Sequence, residues 1–373
     1  MTKHAVVVTC LSPPKLLLGY ARNFRLYNHP KAMFIIVGDK KTDNTACNAL
    51  GETLNDLGVE THFLSTDTQR KLFPKKLLNM IPYYSDNRRN LGFFYAKMLK
   101  AKTIISLDDD NFITDNVDFL GGHSLKTRTM PCAVNPKNDV KWYNICQMLR
   151  LSVDTNTGWI DIYARGHPFN HRVCLELTHP ETKKIKPVLN LGLWTSSPDV
   201  DAFTNIVLPK IFSYGLNQTS IALSPNVWCP VNSQNTCVDA KAISAYYFVK
   251  QKFMGLRIDR YGDIWQGYFF KKCAETMKDY ITVGEPVVDH RRNQHNYLKD
   301  LEQELMGMKL TPYLTDWLEA TILDGKTYED CYVSLADKLQ EWKLPFIGKM
   351  PVDKMKGQIA ANMRLWVECM EEI

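Results

Sequence analysis

The chain predicts an α/β fold with a mixed, mostly parallel central sheet, closed by a helical appendage at its C-terminus. Three observations carry this expectation. Ala5–Cys10 and Met33–Val37 are unbroken apolar runs, each stopped by a loop-forming group (Leu11-Ser12-Pro13-Pro14 and Gly38-Asp39). Strands covered on both faces read this way, without polar alternation. A helical stretch, Thr45–Leu57, lies between the second run and a weaker strand, Val59–Leu64, so the order is β-α-β from the first residues. From about residue 300 onward the strand signals stop and only helical spacing remains.

The remaining elements follow in order. Pro74–Asn87 is less regular, and Arg88–Leu99 reads as a helix leading into the strand Ile104–Leu107. Asp161–Arg172, dense in polar groups and broken by Gly166 and Pro168, reads as a loop. Val188–Thr195 returns to strand character, with Gly192 permitting close backbone approach. Pro198–Ala202 opens a helix, Asn232–Asp239 reads as a polar loop, and Ala240–Phe248 as helix. Arg260–Phe269 opens another helix, and Val287–His290 ends a late strand. In the tail, helices are expected over Pro312–Ile322, with Thr311 as cap and proline at the first helical position, then over Tyr328–Trp342 and Val352–Glu371. The expected division is a catalytic body over 1–299 and the appendage over 300–373.

Composition bounds the function. The 373 residues suffice for one large α/β domain with an accessory element. The apolar share of 45% and charged share of 23% are those of a globular protein. A net charge of +6 with no basic run gives no support for nucleic-acid binding, although a nucleic acid as acceptor is left open. The ten cysteines show no C-x-x-C pair, which predicts a reducing, cytoplasmic compartment rather than a zinc site or a disulfide framework. The first apolar run is too short for a signal peptide or a membrane span, so no membrane association is expected.

The chemistry centres on Asp108-Asp109-Asp110, three carboxylates at the end of an apolar strand. Like charges so close repel, and burial sharpens the repulsion. A divalent cation, magnesium or manganese, relieves it best, because hard cations take carboxylate oxygens together with substrate phosphates. On an extended chain Asp108 and Asp110 would share one side and Asp109 would turn away. A solvated acidic turn is the alternative. His290, at a later strand end, could supply a third metal ligand or be structural. Asp39 could bond a base or ribose, or hold a turn. Arg88, beside Arg89 at a helix start, opposes the helix dipole, a tension that an anionic ligand would resolve; two solvated arginines are the other reading. Asp263 could cap its helix or face the site as a base.

In this order the segments resemble the reversibly glycosylated polypeptides, the UDP-arabinopyranose mutase family, which have a GT-A-like nucleotide-sugar-binding fold. The stretches that carry the likeness are Phe34–Asp39, Ile105–Phe112 with its D-x-D, and Arg165-Gly166-His167-Pro168-Phe169 with Arg172. Gly192-Leu193-Trp194, Pro198–Ala202, Arg260–Trp265 and His290 follow, colinear over nearly the whole chain. The resemblance implies a metal-dependent UDP-sugar enzyme that interconverts pyranose and furanose forms and glycosylates itself. It implies that Asp108, Asp109 and Asp110 serve the metal and the nucleotide sugar, that Arg165 is the glycosylated arginine, and that Arg172 is a second required arginine. Asp39, Arg88, Gly192 and Trp194 join Asp108 and Asp109 as candidate nucleotide-sugar contacts. Asp108, Asp110 and His290 are the candidate metal ligands, and Asp263 is the candidate base for Arg165. Homo- or hetero-oligomers are also implied. Two departures stand out: Leu191 where the family has histidine, and Gly262 where it has the first of two acidic residues. Two alternatives stay open. One is a retaining transferase passing the sugar to a glycan, a protein or a modified DNA base; the other is an inactive nucleotide-sugar-binding subunit of a complex.

Overall fold

A computed structural model of the chain describes residues 3–134, 141–152, 161–172, 181–208, 211–253, 256–292, 295–344 and 352–373. Four parallel strands build the first half of the sheet: β1 (His4–Cys10), β2 (Ala32–Gly38), β3 (Glu60–Leu64) and β4 (Thr103–Leu107). Three more extend it, β5 (Pro187–Ser196), β6 (Asn235–Asp239) and β7 (Tyr280–His290). The order across the sheet is β3-β2-β1-β4-β6-β5-β7, followed by the strands Ser220–Leu223, Arg128–Ala133 and Glu181–Ile185. β6 runs antiparallel to both of its neighbours, and β5 and β7 are parallel to each other. The mixed α/β architecture is thus the one expected.

β6 overturns the polar-loop expectation for 232–239. Its polar side chains hid the strand, yet each finds an internal partner. The Asn235 amide donates to the Pro286 carbonyl at 2.9 Å and its oxygen lies 2.9 Å from His123 Nε2, while the Thr236 hydroxyl donates to the Asn232 carbonyl at 2.7 Å. Buried polar groups are tolerated when they are paired this way. The next segment is also less regular than expected, a 3-10 turn over Ala240–Ala245. Two short helices, Thr66–Leu72 and Lys75–Met80, follow β3, the second within the stretch 74–87 expected to be less regular.

Five helices matter for the site: α1 (Arg89–Met98), α2 (Gly262–Thr276), α3 (Tyr297–Ala320), α4 (Tyr328–Leu339) and α5 (Val352–Glu371). α3 corrects the expected start at Thr311-Pro312. The helix begins fourteen residues before Thr311, capped by Asn296, whose side chain accepts from the Lys299 N–H at 3.1 Å, and Pro312 lies inside it. Hydroxyls serve the carbonyls around that proline: Thr311 donates to Gly307 at 2.7 Å and Thr315 to Thr311 at 3.0 Å. The early start brings Glu304 against the body, where it becomes part of the site. α4 opens with a capping box between Thr327 and Asp330. α5 packs Trp366 near Phe94 and Tyr247, and Lys97 donates to the Met370 carbonyl at 2.8 Å. The tail therefore shares one continuous apolar core with the sheet.

Candidate functional site

The carboxyl ends of β1, β2 and β4 surround a cavity of about 510 Å³, the position where open α/β sheets take their ligands. Eight of the candidate residues line it: Asp39, Arg88, Asp108, Asp109, Asp110, Arg165, Asp263 and His290.

The acidic triplet is not extended. β4 ends at Leu107, and the Asn111 N–H donates to the Asp108 carbonyl at 3.3 Å, closing a turn. Alternation therefore does not set the side chains apart, and all three carboxylates border the cavity. Asp108 lies 2.6 Å from Arg89 Nη2. Arg89 is itself buried and also donates to Ser106, the Ser233 carbonyl and Thr9 at 2.9–3.2 Å. Arg89, rather than Arg88, is thus the arginine that faces the acidic cluster; the two are adjacent in the chain, and no local pattern separates them. Burial pushes the Asp108 carboxyl up to about 7, with Arg89 restraining the rise and Asp110 adding to it. Burial and Asp110 raise Asp109 as well.

Asp110 Oδ2 lies 3.5 Å from His290 Nε2, while its Oδ1 is buried without a hydrogen-bond partner. His290 Nδ1 meets the Ser197 carbonyl at 2.6 Å. An acceptor there fixes the proton on Nδ1 in the neutral ring and leaves the Nε2 lone pair toward Asp110, the usual preparation of a metal-binding imidazole. Burial opposes a charge on His290, but its bond to Asp110 outweighs this and raises its proton affinity. Among the described residues no three acid, cysteine or histidine side chains converge as a ready metal site. Asp110 and His290 meet as expected, but Asp108 is turned to Arg89.

On the same cavity lining, Arg165 is clamped between two aspartates. Its Nε and Nη2 donate to Asp199 at 2.9 and 3.0 Å, and its Nη1 and Nη2 to Asp263 at 3.1 and 2.9 Å. Nη1 also donates to the Arg260 carbonyl. Arg260 has a φ of +60°, an uncommon conformation for a non-glycine residue that the surrounding bonds maintain. Its side chain donates to the buried Glu304 at 2.8 Å, and Glu304 accepts from the Ala202 N–H at 2.8 Å. Burial opposes the charge of Arg165, but Asp199 and Asp263 outweigh it and hold the proton more tightly than on a free guanidinium. Burial would lift Asp199; Arg165 instead holds it well below the usual carboxylate range. Asp199 was legible only as part of Pro198–Ala202, with nothing to tie it to Arg165.

Other candidates are engaged differently. Asp39 accepts from the Lys40 and Tyr84 N–H groups at 2.6 and 2.5 Å and so holds the cavity rim. Arg88 donates to Gln69 and the Ile81 carbonyl and stacks 4.4 Å from the Tyr83 ring. Three candidates lie away from the cavity. Arg172 bonds Asp201 at 2.6 Å and stacks 4.1 Å from Phe169, pinning the arginine loop. Trp194 is wholly buried in β5. Gly192 is a packing glycine: a Cβ there would sit 2.2 Å from the Asn235 amide and 2.5 Å from the Pro286 carbonyl.

The sequence profile of the reversibly glycosylated polypeptide family matches residues 154–373, more than half of the chain. The chain belongs to that family. Among curated relatives, UDP-arabinopyranose mutase 1 of Arabidopsis thaliana is 22% identical over 311 residues, 82% of this chain and 78% of its own length. UDP-arabinopyranose mutase 1 of Oryza sativa subsp. japonica is 23% identical over 312 residues, 82% and 76% of the two chains. A solved structure, S. aureus TarS 1-349, aligns with 100% of this chain and 92% of its own at 8% identity and a TM-score of 0.32, too loose a match to inform the site. The Gly262 departure from the family pattern has a steric reason: a Cβ there would stand 2.5 Å from the Val249 carbonyl. The nine cysteines among the described residues are free and buried, and no helix among those residues is long and apolar enough to cross a membrane.

Proposed function

We propose that this chain is a UDP-sugar enzyme of the UDP-arabinopyranose mutase kind, interconverting the pyranose and furanose forms of a UDP-pentose. One observation carries the reading: a turn of three carboxylates and an arginine held by two aspartates border a single cavity at the strand ends. That pairing suits a ligand with a charged diphosphate at one end and a reacting sugar at the other. Names of relatives at 22–23% identity support the same substrate class.

Asp110 and His290, with Asp109 beside them, are the residues that fit a divalent cation, because a buried carboxylate oxygen without a partner and a pre-set imidazole lone pair face each other. When bound, manganese or magnesium supplies Lewis-acid charge to the diphosphate oxygens. Arg89 keeps Asp108 oriented and neutralises part of the cluster. In the mutase reading the bond from sugar C1 to the β-phosphate oxygen breaks with its electron pair leaving on UDP. An Arg165 nitrogen forms the new bond to C1 and passes a proton to Asp263, 2.9 Å away. The nitrogen-bound sugar opens, recloses through its other hydroxyl, and returns to UDP. A second reading has an observation of its own: all three Arg165 nitrogens already donate to carboxylates, which suits a fixed cation in a transferase using an outside acceptor.

The test is incubation of the purified protein with UDP-arabinopyranose and manganese, followed by NMR of the nucleotide sugar and intact mass of the protein. The mutase reading expects the furanose form, no net UDP release, and a pentosyl adduct that Arg165→Lys lacks. Net UDP release only on adding acceptor favours the second reading, and an unaltered nucleotide sugar under every condition contradicts both.

A further inference from the structure

Among the described residues, three buried guanidinium nitrogens on the cavity lining have no polar partner, Nε of Arg88, Nε of Arg89 and Nη1 of Arg292, but Arg88 and Arg89 are held through their other nitrogens. Arg89 is paired with Asp108, Arg165 with Asp199 and Asp263, and Arg260 with Glu304. Arg88 has Gln69 and the Ile81 carbonyl. Arg292 lines the same cavity, yet it makes no ion pair or hydrogen bond among the described residues, and its Nη1 is shut away from water with no acceptor. Its near neighbour is an aromatic face, Tyr297, 5.9 Å from the guanidinium carbon; Asp199 attracts it only through space. A buried donor left unpaired is rare enough to need a reason, and a ligand that supplies the acceptor is one.

The chain direction adds a second observation. His290 ends β7 with its ring toward Asp110. Arg291 turns outward, its Nε 2.6 Å from Asp289 and its side chain mostly exposed, and Arg292 turns back to the cavity. His290 and Arg292 thus both border the cavity, with the exposed Arg291 between them. We infer that Arg292 receives a phosphate oxygen of the nucleotide's diphosphate and meets the charge released when the bond to the sugar breaks. The inference rests on the reading of this cavity as a UDP-sugar site. The chemistry suits the residue: C1–O cleavage leaves an electron pair on the β-phosphate oxygen, and a guanidinium offers that group two parallel donors. Arg89, Arg165 and Arg260 cannot do so without giving up their carboxylates.

The experiment compares UDP with uridine, which lacks phosphates, by saturation-transfer NMR and titration on wild type, Arg292→Met and Arg292→Lys, each checked for a cooperative thermal transition. Arg292→Met is expected to lose about 10–100-fold in UDP affinity and nothing in uridine affinity, consistent with the loss of a charge-assisted bond. Arg292→Lys should fall between, and added guanidinium should restore part of the turnover of Arg292→Met. Unchanged UDP affinity in Arg292→Met overturns the inference, as does an equal loss for both ligands, which marks a structural role. If Arg292→Met does not fold, the same comparison on Arg292→Lys decides. A wild type that binds neither ligand overturns the UDP-sugar reading itself, and this inference with it.

Discussion

Arg165→Met gives the most discriminating test of the arginine clamp. The substitution keeps the volume of the chain's stem but leaves Asp199 and Asp263 buried and facing each other without a cation. Breaking a buried ion pair from one side costs about 3–5 kcal/mol, because the surviving charge stays desolvated. In a chain of this size that corresponds to a fall in Tm of roughly 4–6 °C at neutral pH. The pH dependence carries the stronger test. In the wild type Asp199 is held below its unfolded value, so its contribution is present above about pH 4 and is lost as pH falls. In Arg165→Met the buried Asp199, left facing Asp263 without a cation, rises above that value, so protonation relieves it and stability is lost as pH rises. The gap between the two proteins should therefore narrow by about 1.4 kcal/mol per pH unit below the raised value. Thermal unfolding of both between pH 4 and 8 reads this directly. A gap that stays constant across the range, or a variant as stable as wild type at pH 7.5, would refute the electrostatic account of the clamp.

Asp110→Asn and His290→Gln should each weaken manganese-dependent UDP binding by about 10–100-fold, measured by titration with and without the metal; equal binding in either variant counts against that pair as the cation site. The same binding should weaken as pH falls below about 7, where protons compete for Asp108 and for His290, whose proton affinity is raised; a flat profile from pH 5 to 8 contradicts the shifts. Gly262→Ala should cost about 1–3 kcal/mol in urea unfolding, since its Cβ meets the Val249 carbonyl at 2.5 Å; a neutral substitution would mean that the loop yields.

Much of this architecture was readable from residue pattern. β1, β2 and β4 announce themselves because buried parallel strands must be apolar on both faces, and their loop ends carry the acids that border the cavity. β6 did not, because its burial is satisfied through side-chain hydrogen bonds that only the folded neighbours His123 and Pro286 supply. The helix through Pro312 was misread from a local rule, since tertiary packing and two threonine hydroxyls carry α3 across a residue that normally opens a helix. Within the site, the residue types were legible but not their pairings. Nothing local distinguishes Arg89 from Arg88, and Asp199 reaches Arg165 across 34 residues. Gly192 and Trp194 were motif residues whose work is packing β5 against β6 and β7.

The most direct measurement is a crystal structure of the protein grown with UDP and manganese. The account predicts the diphosphate in the cavity at the ends of β1, β2 and β4, the metal on Asp110 and His290, and the terminal phosphate facing Arg165. UDP bound elsewhere, or a cavity that stays free of nucleotide at saturating UDP, contradicts it.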